Sequence, residues 1–265
     1  MSDLRSLSAV FSAWSEVPER DASNPLVRKL QGLANLNAAD IAALEEISSN
    51  TFVLGAQADL IHEDDVPKDA FVVLEGFVCR YRRRLTRERQ IMAYMLPGDL
   101  CDVDVPSEGR RDHAVGTLST CVVARVPHRA LAELIARHPN IAQALHQTKL
   151  AEAATAREWI VNLGCRSALE RMAHLFCELI ARLEVVGLVQ DGSCPLPLTQ
   201  GDLGDTLGLS NVHVNRTLQQ LRRQELIELK GKRLTLLKPQ RVSDIGEFSP
   251  AYLRPGTRAN GHATF

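Results

Sequence analysis

The forty residues LTQGDLGDTLGLSNVHVNRTLQQLRRQELIELKGKRLTLL, Leu198 to Leu237, constrain this chain more than any other stretch. Thr199 followed by Asp202 is a capping-box-like start. Leu203 and Leu207 then fall on the inner side of a helix of about two turns, which Gly208 ends. Leu209 plugs the turn and Ser210 is a strong N-cap for a second helix. In that helix Val214, Leu218 and Leu221 fall at i, i+4 and i+7, the spacing of a helix lying on a core. Two helices joined by so short a glycine-bearing turn form a helix-turn-helix, and at Gly204 no side chain obstructs their approach. LIEL, KGK and RLTLL predict a small hairpin behind it, with Lys230-Gly231-Lys232 at its tip: a wing.

The leading end of the second helix carries directional hydrogen-bonding groups and no carboxylate. In a helix-turn-helix this end enters the DNA major groove. The candidate DNA-contacting residues are Thr199, Ser210, Asn211, Val212, His213, Asn215, Arg216, Gln219, Gln220, Lys230 and Lys232. Arg216 suits a bidentate contact to guanine O6/N7, Asn211 or Asn215 suits adenine, and Val212 suits a thymine methyl. Ser210, His213 and the wing lysines suit phosphates, which position the helix without reading sequence. Although the net charge of the chain is −1, Asn211 to Arg241 holds eight Lys/Arg and two Asp/Glu, a local footprint for a phosphate backbone.

Upstream, from about Thr51 to Val126, runs such as FVVLEGFVCRY, QIMAYML and TCVVARV are broken by Gly and Pro turn signals. They predict an antiparallel sheet wound on itself, a β-roll or jelly roll. PLVRKLQGL and NAADIAALEEI before it read as short helices, with Asn37 an N-cap. HRALAELIARHP restores a helical period, and Pro139 opens a longer helix to about Leu163. One side of that helix is mostly small: Ala144, Thr148, Ala151 and Thr155. It suggests a self-association seam, with packing on its own β-domain as the alternative. Asn162–Gly164 is the expected hinge, and SALERMAHLFCELIARL the amphipathic helix after it. The fold expected is α+β, divided into a flexible arm (1–25), a β-roll sensor (26–138), a dimerisation helix (139–163), a winged helix-turn-helix (164–241) and a mobile tail (242–265).

A hydrophobic content of 45% and a charged content of 24% over 265 residues are those of a globular protein. No stretch approaches the ~20 apolar residues of a membrane span, and MSDLRSLSAVFSAW lacks the plan of a secretory signal. A cytoplasmic location without membrane contact is expected. The six cysteines are scattered singly, which reads as reduced, buried thiols. No H-E-x-x-H, P-loop or G-x-S-x-G motif occurs, so no enzymatic activity is expected.

These residues resemble the winged helix-turn-helix of the Crp/Fnr family of bacterial transcription regulators. FVVLEGFVCRY, YMLPGDL, VVARVPHRALAELIARHP, the long helix and NLGCRSALERMAHLFCEL fall in that family's order, so the resemblance covers roughly Pro25 to Pro239. It implies a cyclic-nucleotide-binding-type β-roll, a long dimerisation helix and a DNA-binding unit. It also implies a homodimer on double-stranded palindromic DNA, with RNA polymerase a further partner if the protein activates.

The chain departs from the family at the phosphate cassette, where a Gly-Glu pair and a later Arg-Ser/Thr meet a cyclic phosphate. Asp102 and Asp104 stand near the first position and Asp112-His113 near the second, with Arg110 and Arg111 beside them. Acids around an anion are repulsive, which argues against a cyclic nucleotide. These six residues remain the candidate effector pocket, its ligand unknown. No cysteine precedes Cys79, which argues against an iron–sulfur cluster. The acids do not have metal-ligand spacing, and no metal site is assigned. Nothing beyond residue type speaks for haem at Cys79, Cys101 or His113. Arg80 to Arg89 holds six arginines, either a solvated hairpin or a contact patch for polymerase, DNA or an acidic ligand. Two accounts of control stay open: a signal at the β-roll, or a β-roll that is only a scaffold or partner-binding module.

Overall fold

The computed structural model describes residues 24–85, 88–103 and 110–254. Helices α1 (Pro25–Gln31) and α2 (Ala38–Ile47) precede strands β1 (Thr51–Leu54), β2 (Asp59–Ile61), β3 (Asp69–Glu75), β4 (Val78–Arg83), β5 (Arg89–Met95), β6 (Leu100–Cys101), β7 (Ala114–Thr117) and β8 (Cys121–Pro127). Helices α3 (His128–Arg137), α4 (Pro139–Cys165) and α5 (Ala168–Val185) follow. The last part holds β9 (Ser193–Pro195), α6 (Gln200–Leu207), α7 (Asn211–Arg223), β10 (Ile227–Lys230), β11 (Arg233–Leu236), α8 (Pro239–Gly246) and a 3-10 turn, Pro250–Leu253.

The first eight strands make two four-stranded antiparallel sheets, β1-β8-β3-β6 and β2-β7-β4-β5. Their facing sides bury Phe71, Val73, Val78, Met95, Val115 and Val123. The outer side of the first sheet, through Ala70, Val72, Ala124 and Val126, packs on α1 to α3 and the start of α4. The outer side of the second, through Cys79, Tyr81, Ile91 and Tyr94, joins the core of α5 and α6. With both faces covered, the strands read as continuous apolar runs rather than strict alternation. Cys79, Cys101, Cys121, Cys177 and Cys194 are buried, and burial pushes the thiols of Cys79, Cys177 and Cys194 up to about 12. Cys165 is exposed. No helix among the described residues is long and apolar enough to cross a membrane.

Three expectations are corrected. The hinge is not at Asn162–Gly164, because α4 runs on to Cys165. Asn162 is buried and donates from Nδ2 to the Arg171 carbonyl at 3.3 Å, which holds the last turn in place. The break falls at Arg166, extended at φ −89° and ψ 148°, beside the Ser167–Glu170 capping box that starts α5. Secondly, the small-residue side of α4 is not the outward face. Ala144 and Thr148 are buried, and Thr148, Ala151 and Thr155 line a cavity against the β-roll. The apolar residues left outside are Leu150, Ile160 and Val161. Small side chains let α4 approach its own β-roll.

Thirdly, the segment after Val242 is packed as far as Arg254. Val242 lies in α8, and Phe248, Tyr252 and Leu253 close over α5, in which every residue from Met172 to Ala181 is buried. A helix apolar on one stripe alone would need no such cover, but α5 is enclosed on all sides. Tyr252 donates to Glu178 Oε2 at 2.9 Å, as does Trp159 Nε1. Residues 1–23 of the expected arm and 255–265 of the expected tail lie outside the described residues.

Candidate nucleic-acid interface

Each cap that the sequence predicts around α6 and α7 is formed. The Thr199 side chain accepts from Asp202 N at 3.1 Å, and Asp202 Oδ2 accepts from Thr199 N at 2.9 Å. Gly208 takes the left-handed conformation, φ 63°, that ends α6 without Cβ strain. The Leu209 N–H donates back to the Gly204 carbonyl at 3.1 Å. A Cβ at Gly204 would stand 2.6 Å from the Leu209 carbonyl oxygen, so the turn closes only over glycine. Ser210 caps α7 by accepting from His213 N, and its hydroxyl is 2.9 Å from His213 Nδ1.

Val214, Thr217, Leu218 and Leu221 face the core, whereas Asn211, Val212, His213, Asn215, Arg216, Gln219 and Gln220 are all exposed. Val212, 71% exposed, is an apolar group left on this polar surface. In the wing, Lys230 pairs with Arg233 across a two-residue turn, Gly231 and Lys232, both with φ near +60°. That turn matches the twist of the flanking strands, and β9 completes the sheet as β10-β11-β9. The structure thus brings α7, Thr199, Ser210 and the tip lysines to the surface of one unit, on exposed positions.

The acids of α6 are turned elsewhere, a feature the sequence reading missed. Arg89 reaches from the β-roll to Asp205 Oδ2 at 2.7 Å and to Asp202 Oδ1 at 2.5 Å. Burial opposes the Arg89 charge, and these two carboxylates more than restore it. Tyr94 hydrogen-bonds Thr206, and Gln90 Nε2 donates to the Thr206 carbonyl at 3.3 Å. On the α5 side, Arg182 bridges Asp99, Glu178 and the Tyr94 carbonyl. Of the arginine run, Arg82 pairs with Glu63 and Arg84 with Glu88. Only charge complementarity hinted at Arg89, and it gave no partner.

The candidate effector residues divide into two groups. Asp102 is buried with φ 63°, and its Oδ1 is 2.6 Å from Arg111 Nε. Burial raises the Asp102 carboxyl, with Arg111 opposing. Its backbone oxygen is 3.1 Å from His128 Nε2. Asp112 and His113, joined at 2.7 Å, instead line a cavity of about 450 Å³ between β5, α4, α5 and the final turn. Arg80 Nε and His113 Nε2, two buried nitrogens of residues lining this cavity, have no hydrogen-bond partner among the described residues. Arg110 is exposed outside it, and Asp104 lies outside the described residues. Among the described residues no group of three His, Cys, Asp or Glu stands close enough to hold a metal ion.

The cyclic nucleotide-binding domain family matches residues 52–138, and the Crp-like helix-turn-helix domain family matches 170–245. The nitrogen fixation regulation protein FixK of Bradyrhizobium diazoefficiens is 28% identical over 83% of this chain and 91% of its own. The fumarate and nitrate reduction regulatory protein of Vibrio cholerae is 25% identical over 81% and 85%. The solved structure of FixK2 from Bradyrhizobium japonicum superposes with a TM-score of 0.66 at 26% identity, covering 74% of this chain and 96% of that one. The paired β-sheets, the long helix and the winged unit thus occur together in the order of known regulators, and the chain belongs to the Crp/Fnr family of DNA-binding transcription regulators.

Proposed function

We propose that the chain acts as a symmetric dimer that reads a palindromic duplex with its two copies of α7. The exposed face of α7 carries the reading: from Asn211 to Gln220 it offers amides, an imidazole, a guanidinium and one apolar group, and no carboxylate. Arg216 takes guanine, Asn211 or Asn215 takes adenine, Val212 meets a thymine methyl, and Gln219 and Gln220 extend the contact. Thr199, Ser210, His213, Lys230 and Lys232 hold phosphates. The two helices enter successive major grooves ~34 Å apart. Exposed Leu150, Ala153, Arg157 and Ile160, spaced by three or four along α4, with Val161 beside the last, support the dimer seam.

The input is a small molecule in the cavity beside α4, from the cytoplasm. Unpartnered Arg80 Nε and His113 Nε2 favour a ligand with hydrogen-bond acceptors on an apolar body, held against Met92, Met95 and Ala151, while Asp99, Asp112 and Glu152 in the same lining disfavour a strongly charged anion. A cyclic phosphate at the family's cassette would have to displace buried Asp102 from Arg111. A ligand that fits the cavity differently in two orientations of α5 would shift the pair of winged units. Arg82, Arg83 and Arg84, exposed at the end of β4, supply a polymerase contact if the chain activates. The test is selection from random duplexes by the purified chain, repeated with a metabolite extract. A palindromic consensus is expected, and no preference over random competitor in either condition ends the reading.

A further inference from the structure

Only Arg166 is non-helical between the end of α4 and the Ser167 cap of α5. One extended residue gives the DNA-binding unit an axis on which to swing. Alongside the Arg182 contacts of α5 with Asp99 and the Tyr94 carbonyl, the swing is opposed by the grip on α6 from the edge strand β5. Arg89 holds Asp205 and Asp202, and Asp202 is also the carboxylate that caps the first turn of α6. Gln90 and Tyr94 fasten Thr206 one turn further on. Both members of the Arg89–Asp202 pair are largely buried, where such a pair is geometrically specific. None of these contacts is made to a residue of α7, whose reading surface stays exposed.

We propose that Arg89 is a positioning residue for DNA recognition, fixing the angle at which each helix-turn-helix leaves its sensor domain so that both copies of α7 meet their half-sites together. The inference rests on the dimeric reading above. With the grip broken, the first α7 still binds its half-site. The second is spread over many orientations, and its effective concentration at the other half-site falls.

The experiment measures binding of the full chain, by fluorescence anisotropy, to the selected palindrome and to the same duplex with one half-site scrambled. Arg89→Glu is expected to lose about tenfold or more on the palindrome and at most about twofold on the single site. Arg89→Glu combined with Asp205→Arg, which rebuilds one of the two ion pairs with reversed charges while Asp202 still faces the introduced carboxylate, is expected to recover part of the lost palindrome affinity. Arg89→Gln, which keeps most of the packed stem, is expected to lose affinity in the same selective way should Arg89→Glu fail to fold. Equal loss on both duplexes, unchanged or tighter palindrome binding, or no recovery in the double variant overturns the proposal. If the unaltered chain itself shows no preference for the palindrome over the single site, the dimeric reading fails first.

Discussion

Two glycines three residues apart in α6 are expected to respond oppositely to one methyl group. At Gly204 an added Cβ would lie 2.6 Å from the Leu209 carbonyl oxygen, about 0.8 Å inside ordinary contact. The obstacle is backbone and cannot rotate away. Relief requires α6 and the turn to part, which also weakens the Leu209 N–H bond to the Gly204 carbonyl. Overpacking of this kind costs about 1–3 kcal/mol, and the lost hydrogen bond adds about 1 kcal/mol. Alanine returns about 1 kcal/mol of helix propensity. The net for Gly204→Ala is a loss of about 1–3 kcal/mol, or a fall in Tm of roughly 2–12 °C. At Gly201 the nearest atom to an added Cβ is Thr199 Oγ1 at 3.5 Å, an ordinary contact. Gly201→Ala is therefore expected to gain about 0.4–1 kcal/mol by restricting the unfolded chain. Thermal unfolding of the two variants and the parent, followed by circular dichroism, decides the matter. A Gly204→Ala protein as stable as the parent, or a Gly201→Ala protein destabilised to the same degree, would refute the close-approach argument.

Four further outcomes are expected. Arg216→Ala should cost ~1–3 kcal/mol at one base position of each half-site, whereas Lys230→Ala should weaken all duplexes alike and reduce the salt slope by about one, both read by anisotropy titrations at several salt concentrations. Ile160→Asp places an unpaired charge in each half of the proposed α4 seam and should weaken the dimer by at least about 3 kcal/mol, on the order of a hundredfold, in sedimentation equilibrium. His174 is buried between Gly246, Tyr252, Glu158 and Glu178, with Arg166 nearby, and burial lowers its titration from the ordinary 6.5. The unfolded chain therefore takes up this proton first as pH falls. Urea stability should decline below about pH 6.5, and His174→Gln should flatten that part of the profile.

The winged unit was readable because its signals are local. Thr199 and Asp202, Gly208, Ser210 and the Lys230–Lys232 tip each act within a few residues, and each cap is formed in the structure. The strands were readable as a β-rich region for the same reason. The outward face of α4 was not, because helical period gives faces and not which one the β-roll covers; Thr148 and Leu150 differ only in what lies opposite them. The final strap was missed because Phe248, Tyr252 and Leu253 follow no helical or strand period, and they are called for only by the complete burial of α5. The Arg89 contacts link residues 113 and 116 positions apart, and composition carries no sign of such a distance. Of the six effector residues that the sequence placed together, the structure sorts four into a closed pair, Asp102–Arg111, and a cavity wall, Asp112–His113.

Leu33 at the end of α1 and Leu253 and Arg254 at the close of the final turn line the same cavity. The end of α1 and the final turn thus flank one cavity. A fluorescent label carried at Arg254 would stand at that rim. Screens for small molecules are best run on unlabelled protein, and such a label would be a direct gauge of whether the cavity is filled.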